Sequence, residues 1–144
     1  MKKIGSGKNA NIFLTEDFKI LKKGKRGHPA LNGMPREADI QRKAHELGVA
    51  PKVYANTQNT ITMEYIDGLT LLKYIGNKSE VERKRLYAQI RQKVDLLYDN
   101  NINHRDLNYN NILVTEEGRI YIIDYGYSKI EKVFRRNRHY PLKF

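Results

Sequence analysis

The sequence predicts an α+β fold in two lobes within one domain: an antiparallel sheet with a single helix over about residues 1–66, then a reduced, mostly helical part over about 67–144. Three observations carry this. Short β-rich runs separated by turn residues fill the first part, and one amphipathic helical pattern, from Pro35 to about Leu47, interrupts them. Asp67-Gly68 then breaks the strand pattern and marks the lobe boundary. The longest helical stripe follows, Leu86, Ile90, Val94 and Leu97, opened by the capping box Ser79-x-x-Glu82.

In chain order, Ile4-Gly5-Ser6-Gly7 through Ile12-Phe13-Leu14 reads as strand, glycine turn, strand. Such a turn is either a plain hairpin or a place where backbone N–H groups approach phosphates closely. It lacks the spacing of a G-x-x-x-x-G-K-[ST] loop. Phe18 to Lys22 alternates and puts Ile20 and Lys22 on one face, where Lys22 alone reads as a surface lysine. His28-Pro29 and Asn32-Gly33 are turn signals before the helix, which Gly48 and Pro51 stop. Glu37, Ile40, Ala44 and Leu47 share one face of that helix. A glutamate among apolar neighbours either meets a cation, for which Lys22 is the candidate, or faces the helix dipole.

Val53 to Ala55 and Thr60 to Ile66 are expected as two strands joined by a polar turn, followed by a short helix through Leu71, Leu72 and Ile75. After the long helix, Ile112-Leu113-Val114 and Ile120 to Ile123 form a hairpin around Glu116-Glu117-Gly118. Ser128-x-x-Glu131 is expected to cap a last helix that carries Ile130, Val133 and Phe134 inward and its arginines outward.

Composition limits the function classes. A hydrophobic fraction of 40% with interleaved charge over 144 residues suits a folded chain with its own core. There is no cysteine, which excludes disulfides, thiolate metal sites and cysteine nucleophiles. No apolar run has membrane length and the start has no signal-like region, so the expected location is the cytoplasm, without a membrane partner. The net charge of +11 gathers at Lys19 to Arg26, Arg83-Lys84-Arg85 and Arg135-Arg136-Arg138. It reads either as solvated helix faces or as a field for an acidic protein partner or RNA.

The richest stretch is His104-Arg105-Asp106-Leu107-Asn108-Tyr109-Asn110-Asn111, followed by Ile123-Asp124-Tyr125-Gly126. One loop holds a carboxylate and an amide, and the hairpin returns a second carboxylate before a glycine. These oxygen donors suit a hard cation and a nucleotide beside a hydroxyl nucleophile.

Here the chain resembles the eukaryotic-type protein kinase superfamily, over nearly its whole length. The catalytic loop H-R-D-x-x-x-x-N stands as His104 to Asn111 and D-F-G as Asp124-Tyr125-Gly126, while Gly5-x-Gly7-x-x-Ala10-x-Ile12 is similar to the glycine-rich loop. Lys22 matches the strand lysine and Glu37 the helix glutamate that pairs with it. The resemblance implies a two-lobed kinase-like fold, use of ATP with Mg²⁺ or Mn²⁺, and phosphoryl transfer to a serine or threonine hydroxyl of a protein, itself included. It implies that Lys22 holds the α- and β-phosphates, that Asn111 and Asp124 ligate the metal, and that Asp106 aligns the acceptor. It further implies that Gly5 and Gly7 cover the phosphates, that Ile12 and Leu113 sandwich the adenine, that Met63 backs the pocket, and that backbone groups of Glu64 and Ile66 meet the adenine edge.

The departures are Ala10, Tyr125, and Asn108 where a lysine is usual. Only 18 residues follow Gly126, so no A-P-E motif or peptide-docking helices are expected, and Arg105 lacks the activation segment it often meets. This short plan is similar to small atypical kinases, above all the kinase subunit of the KEOPS tRNA-modification complex and more loosely the RIO kinases. Arg36-Glu37-Ala38, Gly48-Val49-Ala50-Pro51 and Met63 to Gly68 carry that likeness, although that family usually has glycine where Arg105 stands. Two further functions fit the resemblance: a KEOPS-like ATPase that binds RNA or a complex, and a small-molecule phosphotransferase.

Overall fold

A computed structural model describes residues 1–7, 9–25 and 33–141. The expected turn at His28-Pro29 lies outside the described residues, as does Asn32. The first half is a five-stranded antiparallel sheet, in the order β1-β2-β3-β5-β4, from β1 (Lys2–Ser6), β2 (Ala10–Leu14), β3 (Lys19–Gly24), β4 (Val53–Asn56) and β5 (Thr60–Glu64). Register puts Ile12, Lys22 and Ile61 side by side across three strands, with Ile20 beside Met63 on the same face. Ala10, Ile61 and Met63 of that face bury against Met34 and Ala38 of α1 (Met34–Glu46).

α1 starts after Gly33, whose φ of +72° favours glycine, and Pro35 stands in its first turn. It ends in a Schellman arrangement: Gly48 N–H donates to His45 O and Val49 N–H to Ala44 O, with Gly48 at φ +76°. The Glu37, Ile40, Ala44 face is buried as its spacing predicts. The helix joins both halves, since Ile40 and Ala44 belong to the larger core beneath.

That core forms around α3 (Glu80–Asp99), whose Ser79 Oγ accepts from Glu82 N–H at 3.2 Å. Leu86, Ile90, Val94 and Leu97 pack against Ile102, Ile112, Ile122 and Tyr125. β6 (Gly68–Thr70), β8 (Ile112–Thr115) and β9 (Ile120–Ile122) form a small antiparallel sheet, in the order β6-β8-β9. α2 (Leu71–Tyr74) continues into a 3₁₀ turn at Ile75–Asn77. Among the described residues no helix is long and apolar enough to cross a membrane.

The last helix expected from Ser128-x-x-Glu131 does not form. Ser128 Oγ is spent on His104 O, and Lys129–Ile130 becomes β10, paired antiparallel with β7 (Ile102–Asn103). Glu131 extends this pairing, its N–H on Asn101 O and its carboxylate accepting from Asn103 Nδ2. The short strand after α3 offers open backbone groups nearby, and these outweigh a local cap. Ile130 and Phe134 are therefore exposed, and only Val133 of the expected inward trio packs against the core. Of the three tail arginines, Arg138 turns inward, to Asp95 at 3.0 Å and Asp99 at 2.6 Å of α3.

Gly68 tests the β6–β8 contact, because a Cβ there would lie 2.7 Å from Val114 O, a backbone atom with little freedom to move. Gly68→Ala should lower unfolding stability by about 1–3 kcal/mol in urea titrations. Gly76→Ala, where a Cβ meets nothing within 4 Å, should leave the midpoint within about 0.5 kcal/mol of the parent.

Candidate active site

Between the two sheets lies a cleft of about 980 Å³. Its lining includes Gly5, Gly7, Ile12, Lys22, Glu37, Met63, Ile66, Asp106, Asn111, Leu113 and Asp124. Glu64, expected to act through its backbone, donates its N–H to Lys52 O and accepts from Lys52 N–H with its carboxylate, so its side chain takes no part in the lining. Tyr65, the next residue, lines the cleft. The sequence reading also missed Gln41, Thr70, Asn110 and Tyr127, which line it as well. Helical spacing carried a signal for Gln41, one turn beyond Glu37 on the same face; nothing local marked Tyr127.

At the head of the cleft Lys22 Nζ reaches Glu37 Oε2 at 2.6 Å and Asp124 Oδ1 at 3.2 Å. The three groups come from β3, α1 and the loop after β9. Lys22 is 9% exposed and Glu37 1%, so the interior expectation for Glu37 holds, and the surface reading of Lys22 does not. Burial opposes the Lys22 charge, but the two carboxylates outweigh it and raise its pKa. Burial also opposes ionisation of Asp124, yet Lys22 and the Gly126 N–H hold its carboxyl below the usual range. Burial pushes Glu37 up, with Lys22 as the counterweight. Glu37 Oε1 is buried with no hydrogen-bond partner among the described residues, and a Cβ on Gly126 would lie 3.0 Å from it. The glycine leaves room for the ion pair.

The lower wall is a network around His104. Asp106 N–H donates to His104 Nδ1 at 3.1 Å, which leaves Nε2–H to donate to Ile123 O at 2.8 Å. His104 thus ties the loop of Asp106 to the residue before Asp124. Asn111 Nδ2 donates to Asp106 O at 2.8 Å and to Asp106 Oδ2 at 3.1 Å, and Ile123 N–H donates to Asn111 O at 2.9 Å. Asn108 Nδ2 also donates to Asp106 O, at 3.2 Å. Arg105 and Asp124 hold φ of +70° and +65°, left-handed values that cost non-glycine residues about 1–3 kcal/mol each. Tyr125, 0% exposed, donates its hydroxyl to Ile122 O at 2.9 Å, so the extra oxygen at that position is satisfied.

Among the described residues, Asn111 Oδ1 and Asp124 Oδ2 accept no hydrogen bond, although both side chains line the cleft. No cluster of three or more acidic, histidine or cysteine side chains able to hold a metal occurs among the described residues. A two-oxygen donor set fits a hard cation that takes its remaining ligands from phosphates and water, as Mg²⁺ does.

His104 gives a pH prediction. Its Nδ1 already accepts a hydrogen bond and burial lowers its pKa from the ordinary 6.5, so the folded chain keeps the neutral ring. The unfolded chain binds the proton first. Stability is therefore full above 6.5 and falls as pH drops below it through the folded value. Thermal melts from about pH 5 to about pH 8 should show this decline, and His104→Gln should flatten it at some cost in overall stability.

Comparison with known proteins places the chain. A family model of the protein kinase domain matches residues 1–137. The chain is 28% identical over 145 residues to a probable serine/threonine-protein kinase PknB of Lactococcus lactis, covering 90% of this chain and 23% of that protein. It is 34% identical over 99 residues to KEOPS complex subunit Bud32 of Pyrococcus abyssi, covering 67% of this chain and 44% of that protein. The chain thus spans less than half the length of either relative. In structure it is similar to the Cydia pomonella granulovirus kinase PK-1, with a TM-score of 0.71 at 20% identity over 90% of this chain and 51% of that one, a likeness of fold.

Proposed function

The chain belongs to the protein kinase domain family, and on that premise we propose that it is an ATP- and Mg²⁺-dependent serine/threonine protein kinase that also phosphorylates itself. One observation carries the reading. Lys22 is paired with both Glu37 and Asp124 at the head of a cleft whose lower wall joins Asp106 to Asn111. Phosphoryl transfer needs little covalent help; it needs alignment and neutralised phosphate charge.

In this reading the Lys22 ammonium, oriented by Glu37, faces the α- and β-phosphates. Ile12 and Leu113 hold the adenine between them, Met63 closes the back, and backbone groups of Glu64 and Ile66 meet the edge, with Tyr65 beside them. Gly5 and Gly7 let the turn approach the phosphates. Asn111 and Asp124 would hold Mg²⁺ through their free side-chain oxygens, and the cation would supply neutralisation of phosphate charge. Asp106, oriented by the Asn111 amide, accepts the proton of the acceptor hydroxyl as its oxygen bonds to the γ-phosphorus and the bond to the ADP oxygen breaks. Asn108 Nδ2 donates to the Asp106 backbone oxygen at 3.2 Å and to its Oδ1 at 3.4 Å, so it helps to orient that carboxylate.

With γ-labelled ATP and Mg²⁺ the purified chain should label itself or a generic protein acceptor. Asp124→Ala should abolish the labelling, and Asp106→Asn should lower kcat by about 10²–10⁴-fold while nucleotide affinity stays close to the parent. Label transfer that survives Asp124→Ala would sink the assignment. The likeness to a complex subunit supports a second reading, in which water takes the acceptor's place and the chain acts as an ATPase within an assembly. Labelled inorganic phosphate without labelled protein distinguishes that outcome.

A further inference from the structure

A second side-chain bridge crosses the cleft, at its mouth. Asn9 Nδ2 donates to the Tyr127 hydroxyl at 3.0 Å and joins the β1–β2 turn to the segment after Asp124. Both residues line the cleft.

The two ends are held differently. Tyr127 stands in a turn closed by Ser128 N–H on Tyr125 O at 3.1 Å, and both flanking anchors, Tyr125 and Ser128, are fully buried. Ser128 Oγ is bound to His104 O in turn. The ring of Tyr127 therefore projects from the rigid base that carries Asp106 and Asp124. Among the described residues, the hairpin tip that carries Asn9 is fastened by Gly7 N–H to Ala10 O at 2.8 Å, by Ser6 Oγ to Asn11 Oδ1 at 3.1 Å and, from the residue after β3, by Lys25 N–H to Asn9 O at 2.8 Å. β1, the strand leading into that tip, is an edge strand exposed along most of its length. A tip held by so few bonds opens more readily than the strands behind it, and each contact from outside the hairpin opposes that opening.

We propose that the Asn9–Tyr127 hydrogen bond is a strap that holds the glycine turn down over the cleft, making Tyr127 a positioning residue that slows exchange of bound nucleotide. The retention role rests on the nucleotide reading of the cleft. The strap differs in kind from the Lys22–Asp124 pair deeper in. It joins two neutral groups, and a single hydrogen bond of net strength near 1 kcal/mol shifts an opening equilibrium only about two- to tenfold. It therefore favours the closed turn without locking it, as a site that must release product requires.

Tyr127→Phe removes the hydroxyl and keeps the ring; Asn9→Ala removes the donor from the other side. Two measurements separate the existence of the strap from its use. In the free protein, exchange of the Gly7 amide, bonded to Ala10 O, and of the Lys25 amide, bonded to Asn9 O, should rise about two- to tenfold in either variant. In stopped flow, release of a fluorescent ADP analogue with Mg²⁺, chased by ATP, should accelerate by a similar factor. The double variant should release no faster than the faster single one, because the two groups act as a pair. The melting temperature of Tyr127→Phe should stay close to the parent value. Exchange unchanged by Tyr127→Phe overturns the strap. Faster exchange with unchanged release, or single effects that multiply in the double variant, overturns the retention role. A parent chain that binds no analogue overturns the nucleotide reading, and the exchange measurement then decides the strap on its own.

Discussion

Lys22 is the constraint on which the architecture turns. An ammonium with 9% exposure loses most of its hydration, and desolvating it costs several kcal/mol unless carboxylates replace the water. Glu37 and Asp124 do so, and they arrive from a helix and a loop far apart in sequence. Satisfying one cation therefore fixes the sheet, α1 and the base of the cleft relative to one another. Breaking such a buried pair leaves an uncompensated charge, which is why each partner depends on the others. Glu37 shows this most plainly, with one oxygen on Lys22 and the other buried against Gly126 without a partner among the described residues.

Beneath that ion pair the apolar core supplies rigidity and a polar network supplies register. Leu86, Ile90, Val94 and Leu97 anchor α3 to the small sheet by burial, which is non-directional and does not aim a carboxylate. Aim comes from His104, Asn111 and Ser128, which tie the loop of Asp106 to the segments on either side of Asp124. The left-handed backbone at Arg105 and Asp124 is held within this network. Strain of that size persists where surrounding bonds over-determine the conformation.

The same network explains where the chain's end goes. Ser128 carried a good local capping pattern, but its hydroxyl has a buried carbonyl within reach, and β7 has backbone groups to pair. Arg138 likewise leaves the basic tail for two aspartates on α3. The exposed positive charge is thus smaller than the raw count of arginines near the end implies.

The sequence by itself determined the order and kind of the longer elements, from β1 to β5, α1 to α3, and the β8–β9 hairpin, because strand alternation, the α3 stripe, the Ser79 cap and the Gly48 stop are local signals that no later packing reverses; the short strands β6, β7 and β10 carried no such signal. It also made the polar centre of the cleft legible, since the spacing of Lys22, Glu37, Asp106, Asn111 and Asp124 survives in the chain as a motif. Tertiary structure decided what depends on partners far away in the chain. It buried Lys22, turned Glu64 outward towards Lys52, and drew the segment after Ser128 into a strand. It also set Tyr127 against Asn9 across 118 positions. Each of those outcomes rests on one hydrogen bond, ion pair or strand edge supplied from elsewhere in the fold, and a window of neighbouring residues contains no record of it.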